Sequence, residues 1–306
     1  MDFEIKLNDI FGKDNVRLQE SMAEHTSFRI GGPADYYVTP QDPESLAQGI
    51  ALCAEENVPY YIVGNGTNLL IADRGFRGVI FQILRTMDSI TCREEDGVLL
   101  LFAQAGALLS RAARTVAEKG YAGFEFAAGI PGTIGGAVMM NAGAYGGEIG
   151  DHLLYVDVLD EKGQTLRLTL PELAFGYRRS IVMDKGYIVL DVCMSFEKGD
   201  PDAVMQRVEE LSGKRKSSQP LDYPSAGSTF KRPEGYFAGK LIQDCGLKGL
   251  TVGGAQVSEK HAGFVINIGG ATAADVRELI RQVQAKVKEQ FGVLLEPEIR
   301  MIGEFE

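Results

Sequence analysis

The chain has 306 residues, of which 45% are hydrophobic and 24% are charged, and its formal net charge is −11. This composition is typical of a globular protein, and the length predicts two or three domains with a substantial core. The acidic balance argues against a general nucleic-acid-binding protein, which would carry a basic face, but it leaves room for a local basic pocket that binds an anionic small molecule.

The first half of the chain predicts an irregular succession of helices and strands. The first fifty residues indicate one or two helices, a turn at Gly31–Pro33 and a strand from Asp35 to Val38. Apolar residues at a helical period predict a helix over Asp42–Asn57, with Asp42 and Pro43 at its start. The remaining elements of this half are strands at Tyr60–Val63, Gly78–Ile83 and Val98–Ala103 and a helix at Leu108–Lys119, closed by Gly120.

A short glycine loop, Gly64–Asn68, follows the strand that ends at Val63. The dinucleotide fingerprint GxGxxG would need a third glycine where this chain has Leu69, so the loop is a weak match to a Rossmann fold. Taken alone, the loop is equally compatible with a plain turn after a strand.

The most unusual segment is Phe126–Gly147, twenty-two residues without a charge and with seven glycines. Its glycines, Pro131 and Asn141 make it a poor membrane span, and its apolar residues distinguish it from a flexible linker. We therefore predict a folded, buried loop whose backbone N–H groups can surround a phosphate. Together with the loop at Gly64–Asn68, it indicates a dinucleotide ligand.

The second half predicts further elements and a domain boundary. A change of character near residue 198 marks the boundary, and residues 218–230 are rich in turn formers. The mixture lacks the regular alternation of a doubly wound sheet and is therefore α+β. The elements are a hairpin of Leu153–Leu159 and Thr165–Leu170, strands at Tyr187–Met194 and Ala262–Asn267, and helices at Asp202–Leu211, Gly239–Cys245 and Ala273–Phe291, the last N-capped by Thr272 and ending before Gly292.

The cysteines and the N-terminal sequence indicate the cellular compartment of the protein. The four cysteines are far apart and form no CxxC motif, which is typical of reduced, mostly buried thiols in a cytoplasmic protein. The N-terminus has no basic stretch followed by an apolar one, so no signal peptide is predicted. The three scattered histidines predict no metal site.

Five motifs together carry a resemblance to a known family. They are, in chain order, VGNGTNLLIADRGFRGVI, AAGIPGTIGGAVMMNAGAYGGE, FGYRRS, YPSAGSTFKRP and LEPEIRMIG. In this order the chain resembles the UDP-N-acetylenolpyruvoylglucosamine reductase (MurB) family from about His25 to Gly303. The resemblance implies an α+β fold, with an N-terminal helical segment at 1–22, a two-lobed FAD-binding domain of the vanillyl-alcohol-oxidase (PCMH) type at 23–198, and a C-terminal α+β substrate-binding domain at 199–306.

The resemblance also implies which residues bind FAD. The short loop would bind the FAD pyrophosphate, and the long segment would line the flavin. The implied residues are Gly64, Asn65, Gly66, Thr67 and Asn68 in the first loop, and Gly129, Pro131, Gly132, Thr133, Gly135, Gly136, Asn141 and Ala142 in the second segment.

The implied reaction is the NADPH-dependent reduction of the enolpyruvyl ether of UDP-N-acetylglucosamine enolpyruvate to UDP-N-acetylmuramate, a step of peptidoglycan precursor synthesis. NADPH would give a hydride to FAD, and after NADP⁺ leaves, the sugar nucleotide would take it from flavin N5. Negative charge then builds up at the substrate's carboxylate, and an acid must protonate the adjacent carbon.

Three residues would carry this chemistry by resemblance. Arg178 would stabilise the charge on the carboxylate, and its neighbour Arg179 is the rival on sequence alone. Ser228 would donate the proton, which a serine can do only because the enolate carbon is strongly basic. Glu298 would assist at the carboxyl end as a protonated hydrogen-bond donor, with Glu296 as the competitor. Without the resemblance, these residues would be interpreted as an ordinary turn serine and a surface ion pair.

Contacts to the UDP-sugar are assigned more loosely. The chain reads KRP at Lys231–Pro233 and is short through residues 235–260, which resembles the compact type of the family that lacks an extra tyrosine loop. The basic stretch Lys214–Lys216 could bind phosphate, although a solvated helix end is the preferred interpretation. A monomer is expected. The candidate substrate residues are Tyr177, Lys231, Arg232, Lys240, Gln256 and His261.

Two other functions are compatible with parts of the sequence. One is a flavin oxidase of the same cofactor-domain superfamily, many of which link FAD covalently; His25 is the only histidine before the long glycine segment. The other is a nucleotide-binding module without catalytic activity, in which the FGYR, AGS and EPEIR motifs are merely structural.

Overall fold

Helices and strands follow one another irregularly along residues 2–305, which are the residues that the computed structural model describes. The predicted α+β class is confirmed. The helices are α1 (Phe3–Phe11), α2 (Pro43–Glu55), α3 (Leu109–Glu118), α4 (Ile134–Met140), α5 (Ile181–Lys185), α6 (Pro201–Ser218), α7 (Ala238–Asp244) and α8 (Ala273–Phe291). The strands are β1 (Val16–Ser21), β2 (Pro33–Val38), β3 (Tyr60–Val63), β4 (Leu69–Ile71), β5 (Phe76–Gln82), β6 (Ile90–Glu95), β7 (Val98–Gln104), β8 (Gly143–Ala144), β9 (Gly147–Glu148), β10 (Leu153–Leu159), β11 (Thr165–Thr169), β12 (Ile188–Glu197), β13 (Thr251–Val252), β14 (Ala255–Val257), β15 (Val265–Asn267) and β16 (Arg300–Ile302).

The chain divides into two units, neither of which is a continuous piece of sequence. The first unit consists of the residues up to Arg17, Tyr37–Asn65 and Val79–Arg215. The second unit consists of Leu18–Tyr36, Gly66–Gly78 and the chain from Lys216 onward. The predicted domain limits at residues 22 and 198 remain a prediction.

The sheets follow a mixed topology. One sheet has the order β1-β2-β5-β3, with β3 parallel to β5, and the largest has the order β11-β10-β12-β7-β6 and is antiparallel throughout. Smaller sheets are formed by β13-β14-β15, by the parallel pair β16-β4 and by the hairpin β8-β9. The absence of a regular βαβ repeat in this order agrees with the α+β interpretation.

In the first unit, short helices cover one face of the large sheet. Helix α4 contacts β12 and β7, and α3 contacts β7. The amphipathic helix α3 buries five residues, including Leu109 and Val116. Helix α1 packs on α2, and the ring of Phe11 lies 5.7 Å from that of Phe81.

In the second unit, the long helix α8 carries much of the core. Its buried side chains include Val276, Leu279 and Val283, and they share one hydrophobic cluster with Phe28 and Leu70 from distant parts of the chain. Each such aliphatic side chain contributes about 1.5–3 kcal/mol when it is fully buried. The packing of α8 therefore holds together the three sequence segments of this unit.

Several predicted bounds are corrected by the structure. The N-terminal segment 1–22 is helical over α1, but Val16–Ser21 is a strand; Met1 lies outside the described residues. This strand is mostly exposed and polar, and the alternation of Val16 and Leu18 is too short to predict a strand. The helix predicted over Asp202–Leu211 continues to Ser218, and the strand predicted from Ala262 begins only at Val265, because Phe264 N closes a turn onto His261 O at 3.0 Å.

The prediction of a loop over Phe126–Gly147 is wrong for its centre, where α4 lies. Thr133 caps this helix by accepting a hydrogen bond from Gly136 N at 3.4 Å. Gly135, in the first turn, packs so closely on Ala105 that an added Cβ would lie 3.0 Å from the Ala105 Cβ. The glycines of Phe126–Gly147 therefore allow close packing of a helix as well as the conformations of a loop.

The helices of residues 2–305 include none with both the length and the apolar character needed to cross a membrane. Within the same residues all four cysteines are free thiols, with Cys53 and Cys193 buried and Cys92 and Cys245 half-buried. Burial raises the pKa of the Cys53 thiol to about 12, so this thiol is unreactive at neutral pH.

Candidate functional site

Gly64 and Asn65, which begin one glycine-rich segment, lie against a second glycine-rich segment in the first unit. We call them the first glycine loop (Gly64–Asn68) and the long glycine segment (Phe126–Gly147). The Asn65 side chain donates a hydrogen bond to Pro131 O at 2.6 Å. A Cβ on Gly64 would lie 2.2 Å from Thr133 Oγ1, so only glycine allows this approach. Segments about seventy residues apart in sequence thus form one backbone surface.

The first glycine loop presents backbone donors. Gly66 has a φ of +59°, and a Cβ there would lie 2.0 Å from His25 O. Within residues 2–305, no carbonyl or side chain accepts a hydrogen bond from the backbone N–H groups of Asn65, Gly66 or Thr67. Adjacent N–H groups in a loop of this kind suit a phosphate oxygen. The loop is therefore chemically suited to the anionic part of a dinucleotide.

Gln82 supports this loop and was missed by the sequence analysis. It is buried at the end of β5, and its Nε2 donates to Gly64 O at 3.2 Å. The Tyr37 hydroxyl donates in turn to Gln82 Oε1. A polar residue directly after the apolar, buried run Val79–Phe81 was the signal that could have revealed it.

The end of the long glycine segment is fixed by Asn141. This residue is 1% exposed and adopts the left-handed conformation, with a φ of +42°. Its side chain accepts a hydrogen bond from Gly150 N at 3.2 Å and donates one to Gly176 O at 3.3 Å. Next to it, Ala142 N donates to Ala137 O at 2.8 Å. Asn141 therefore joins the glycine segment to the FGYRRS motif.

The other predicted cofactor residues of this segment lie close by in sequence and structure. Gly132 O accepts a hydrogen bond from Leu109 N at 2.9 Å, so the segment is tied to the start of α3. Gly129 ends a short 3-10 helix over Glu125–Gly129. Gly135 and Gly136 lie in the first turn of α4.

Arg178 sits at the tip of a tight turn. Gly176 and Arg179 exchange backbone hydrogen bonds at 3.0 and 3.2 Å, which leaves Tyr177 and Arg178 at the apex. Arg178 has a φ of +54°, a conformation that a residue with a side chain adopts only at a free-energy cost. Its guanidinium donates to Asn141 O at 3.4 Å and to Gly143 O at 3.1 Å.

The two adjacent arginines have different surroundings. Arg178 is half-buried and held on the long glycine segment, whereas Arg179 is exposed and forms an ion pair with Asp184 at 2.9 Å. This ion pair raises the pKa of Arg179. Tyr177 is 53% exposed, and its ring centroid lies 5.0 Å from Arg178 Cζ.

In the second unit, the Ser228 segment runs beside the Glu298 segment. Glu298 N donates to Thr229 O at 2.8 Å, and Lys231 N donates to Glu296 O at 2.8 Å. Ser228 itself is exposed and follows Gly227, whose φ is +77°. This antiparallel pairing brings the two predicted residues onto neighbouring stretches of backbone.

The two glutamates of the EPEIR motif are also distinguished. The side chain of Glu296 is 68% exposed and forms an ion pair with Lys231. Glu298 is half-buried, and its carbonyl accepts a hydrogen bond from the Asn68 side chain at 3.2 Å. Asn68, predicted as a cofactor residue, thus contacts the backbone of a predicted catalytic residue within the second unit.

The candidate substrate residues of the second unit are scattered among several elements. Arg232 lies over the exposed Phe237 ring, with its Cζ 3.9 Å from the centroid. Lys240 forms an exposed ion pair with Asp244 at 2.7 Å. Gln256 donates to Thr251 Oγ1 at 3.0 Å.

His261 has a more enclosed position. Its Nδ1 accepts a hydrogen bond from Gly263 N at 3.1 Å, and its ring lies 5.0 Å from the Phe264 ring. Burial lowers the pKa of His261, which favours the neutral imidazole at neutral pH.

The predicted site residues are therefore divided between the units. Arg178, Gly64, Asn65 and the long glycine segment belong to the first unit. Ser228, Glu298 and the remaining residues of the first glycine loop belong to the second, together with most candidate substrate residues. Across residues 2–305, no three His, Cys, Asp or Glu side chains are grouped so that they could hold a metal ion.

Comparisons with known proteins agree on one family. A model described as FAD binding domain matches residues 34–169, and one described as UDP-N-acetylenolpyruvoylglucosamine reductase, C-terminal domain, matches residues 219–302. A protein named UDP-N-acetylenolpyruvoylglucosamine reductase from Lachnoclostridium phytofermentans is 51% identical over 299 residues, covering 98% of this chain and 96% of that protein. One of the same name from Clostridium perfringens strain SM101 is 50% identical over 303 residues, covering 99% and 98%. The crystal structure of UDP-N-acetylenolpyruvylglucosamine reductase (MurB) from Thermus caldophilus is 34% identical, with a TM-score of 0.80, and covers 94% of this chain and 100% of that chain.

Proposed function

The chain belongs to the UDP-N-acetylenolpyruvoylglucosamine reductase family, and on this premise we propose that it uses NADPH to reduce the enolpyruvyl ether of UDP-N-acetylglucosamine enolpyruvate to UDP-N-acetylmuramate. The chain is an oxidoreductase of peptidoglycan synthesis, and its cofactor is FAD. Its FAD-binding domain is of the type predicted from the sequence. The hydride donor, the catalytic residues and the substrate contacts are the new parts of the proposal.

The residues of the two glycine-rich segments fit the cofactor. FAD carries a pyrophosphate, and the first glycine loop offers N–H groups that no protein acceptor takes up within residues 2–305. Gly64 leaves no space for a Cβ against Thr133, which keeps the two glycine-rich segments in contact. The chemistry that FAD supplies when bound is hydride transfer. The two segments would hold and orient it.

Arg178 is proposed to stabilise the charge that develops on the substrate carboxylate. Its guanidinium is held on the long glycine segment by Asn141 O and Gly143 O, and a planar guanidinium suits a carboxylate because it can donate two parallel hydrogen bonds to it. The strained backbone of Arg178 supports a functional role, because such strain is typical of active sites. Arg179 is less suited, since its side chain is engaged by Asp184 at the surface.

Ser228 is proposed to give its hydroxyl proton to the carbon next to the carboxylate, and Glu298 to donate a hydrogen bond at the same end of the substrate. The observation that carries this assignment is the backbone pairing of Thr229 with Glu298 at 2.8 Å. The two residues therefore lie on adjacent stretches of backbone joined by hydrogen bonds, an arrangement that suits preorganised catalysis.

The residues proposed to contact the UDP-sugar are Tyr177, Lys231, Arg232, Lys240, Gln256 and His261. Cationic side chains suit the diphosphate of UDP, and they can form a local basic pocket even though the net charge of the chain is −11. We also propose that residues 23–198 and 199–306 act as the cofactor and substrate domains, and that the protein is a cytoplasmic monomer.

The first experiment follows the flavin colour. The purified protein should be yellow, anaerobic NADPH should bleach it, and UDP-N-acetylglucosamine enolpyruvate should restore the colour. Recovery with oxygen alone, and none with the sugar nucleotide, would identify an oxidase instead. Colourless protein that takes up no FAD would exclude both enzymes.

The second experiment separates the half-reactions in Ser228→Ala. Bleaching by NADPH should keep its rate within about twofold, while recovery of colour with the sugar nucleotide should slow by about 10²–10⁴-fold, the usual contribution of a general acid. Ser225→Ala is the matched control, because both hydrogen bonds of Ser225 to Ser27 are made by its backbone. Equal slowing of both half-reactions in Ser228→Ala would contradict the role.

A further inference from the structure

One half-buried cation of the first unit has no anionic partner among residues 2–305. Arg215 lies near the end of α6. Among residues 2–305, its guanidinium forms no ion pair, hydrogen bond or ring contact. Two other basic side chains of α6 behave differently, since Arg207 and Lys214 both pair with Glu210, at 2.6 and 2.5 Å.

Moving an unpaired guanidinium from water into a protein costs desolvation free energy. Burial lowers the pKa of Arg215, and the neighbouring Tyr145 offsets part of this effect. Because the ordinary pKa of arginine is far above neutral pH, the side chain nevertheless stays charged at neutral pH. Buried charges in proteins are normally paired, so the surroundings of Arg215 are those of a cation whose counter-ion is a ligand.

The long glycine segment forms the wall beside Arg215. The position that a Cβ on Gly129 would take lies 3.1 Å from Arg215 Cδ and 3.9 Å from Nη1. The absence of a side chain at Gly129 therefore leaves the space that the arginine occupies. Tyr145, near the other end of the same segment, is the second neighbour. Both Gly129 and Tyr145 fall within the residues 34–169 that match an FAD-binding domain.

We propose that the Arg215 guanidinium binds an anionic group of the FAD held by the first unit. The proposal rests on the cofactor-binding role of the two glycine-rich segments. FAD offers two groups of suitable charge: the pyrophosphate, anionic in both redox states, and the pyrimidine edge of the ring, which becomes more negative on reduction. A planar guanidinium can donate two parallel hydrogen bonds to either group.

The test compares Arg215→Met with the wild type by two measurements on the FAD-loaded protein. The FAD dissociation constant is obtained from the flavin fluorescence released on dilution, and the midpoint potential from equilibration with a reference dye. Contact with the pyrophosphate predicts an FAD dissociation constant about 10- to 100-fold higher, the usual loss for a hydrogen bond to a charged group, with the potential unchanged.

Contact with the ring edge predicts a different pattern. The dissociation constant of oxidised FAD should stay within about threefold of the wild-type value. The affinity for reduced FAD should fall about tenfold more than the affinity for oxidised FAD. For a two-electron couple this difference lowers the midpoint potential by about 30 mV. Either pattern supports the proposal. Arg207→Met, which removes an exposed arginine from the same helix, should leave both measurements at the wild-type values.

Three results would overturn the proposal. The first is an Arg215→Met protein with wild-type FAD affinity and potential, including one that has lost affinity only for the UDP-sugar. The second is an equal change in Arg207→Met. The third is wild-type protein that binds no FAD, which would also remove the proposed cofactor role, whereas the first two leave that role intact. If Arg215→Met does not unfold cooperatively, Arg215→Gln, which also removes the charge, is measured in its place.

Discussion

At the scale of single residues, the candidate site depends on positions where a side chain is absent or strained. Gly64 and Gly66 are fixed by approaches of 2.2 and 2.0 Å between an added Cβ and a neighbouring oxygen. Arg178 adopts a left-handed backbone conformation, which is unfavourable for a residue with a side chain. Both features are costs that the surrounding hydrogen bonds must offset, and they indicate where the chain positions its ligands.

Gly64→Ala should weaken both the fold and FAD retention. The added methyl group would overlap Thr133 Oγ1 and push the first glycine loop away from the long glycine segment. Overpacking of this kind costs about 1–3 kcal/mol. Urea unfolding and the dissociation constant of FAD measure the two effects.

Gly213→Ala is the matched control for this substitution. Gly213 lies in α6 with no atom within 4 Å of an added Cβ, so alanine there should be neutral or stabilise the helix by about 0.5–1 kcal/mol. If Gly64→Ala unfolded and bound FAD as the wild type does, the contact between the two segments would not be needed.

At the scale of elements, α8 shows how a helix start is tied to distant chain. The Asp73 carboxylate accepts hydrogen bonds from the first N–H groups of this helix, from Ala273 N at 2.7 Å and from Ala274 N at 3.0 Å. Thr272 and Asp275 form a capping box, and Asp275 Oδ2 also accepts from Gly254 N at 3.2 Å. The capping carboxylates thereby join α8 to the loop after β4 and to the turn before β14.

Asp275→Asn should lower stability in a pH-dependent way. Hydrogen bonds from the Thr272 backbone, above all, lower the pKa of Asp275. Since the folded pKa is below the unfolded value, the contribution is complete above the unfolded pKa and is lost as the pH falls through the folded pKa. The partly exposed carboxylate should be worth about 1 kcal/mol after solvent screening.

Urea unfolding at pH 7 and pH 3 checks this expectation. The difference between wild type and Asp275→Asn should be largest at pH 7 and shrink at pH 3. Asp202→Asn is the control, because Asp202 is an exposed residue in the first turn of α6 and should change stability by less than about 0.5 kcal/mol. A difference that is the same at both pH values would assign the effect to shape instead of charge.

At the scale of the whole molecule, the chain passes five times between its two units. The passages fall after Arg17, Tyr36, Asn65, Gly78 and Arg215. The core of the second unit accordingly includes Phe28, Ile30 and Leu70 as well as residues of α7 and α8. Cutting the chain at a single point therefore does not separate one unit from the other.

A fragment of residues 1–215 should fail to fold as a stable protein. It would retain Phe28, Ile30 and Leu70 without the C-terminal residues that bury them, at a loss of about 1.5–3 kcal/mol for each side chain. That sum is comparable with the 5–15 kcal/mol, roughly, that stabilises a typical domain. Limited proteolysis and thermal unfolding, with the full chain as control, measure the outcome. Cooperative unfolding of the fragment near the temperature of the full chain would show that the first unit is independent.

Features with local causes could be predicted from the sequence. Helix α8 follows from its apolar period, from Thr272 at its start and from Gly292 at its end, and the structure has the predicted bounds. The two glycine-rich segments were recognisable because glycine has few reasons to cluster other than close backbone approach. The family was indicated by five motifs, each too weak alone, in a fixed order.

Features that depend on partners distant in sequence became evident only from the folded chain. Strands β4 and β16 have three residues each and exist because they pair with each other, which no periodicity over so short a length can reveal. The helix within the long glycine segment depends on the Thr133 cap and on Ala105, which it packs against. Burial and neighbours in space decide how the surroundings of Arg178 and Arg179 differ, and they leave Arg215 without an anionic partner among residues 2–305. The residue type sets the charge and the hydrogen-bonding groups of a side chain. Folding sets its burial and its neighbours, and these decide what the side chain can bind.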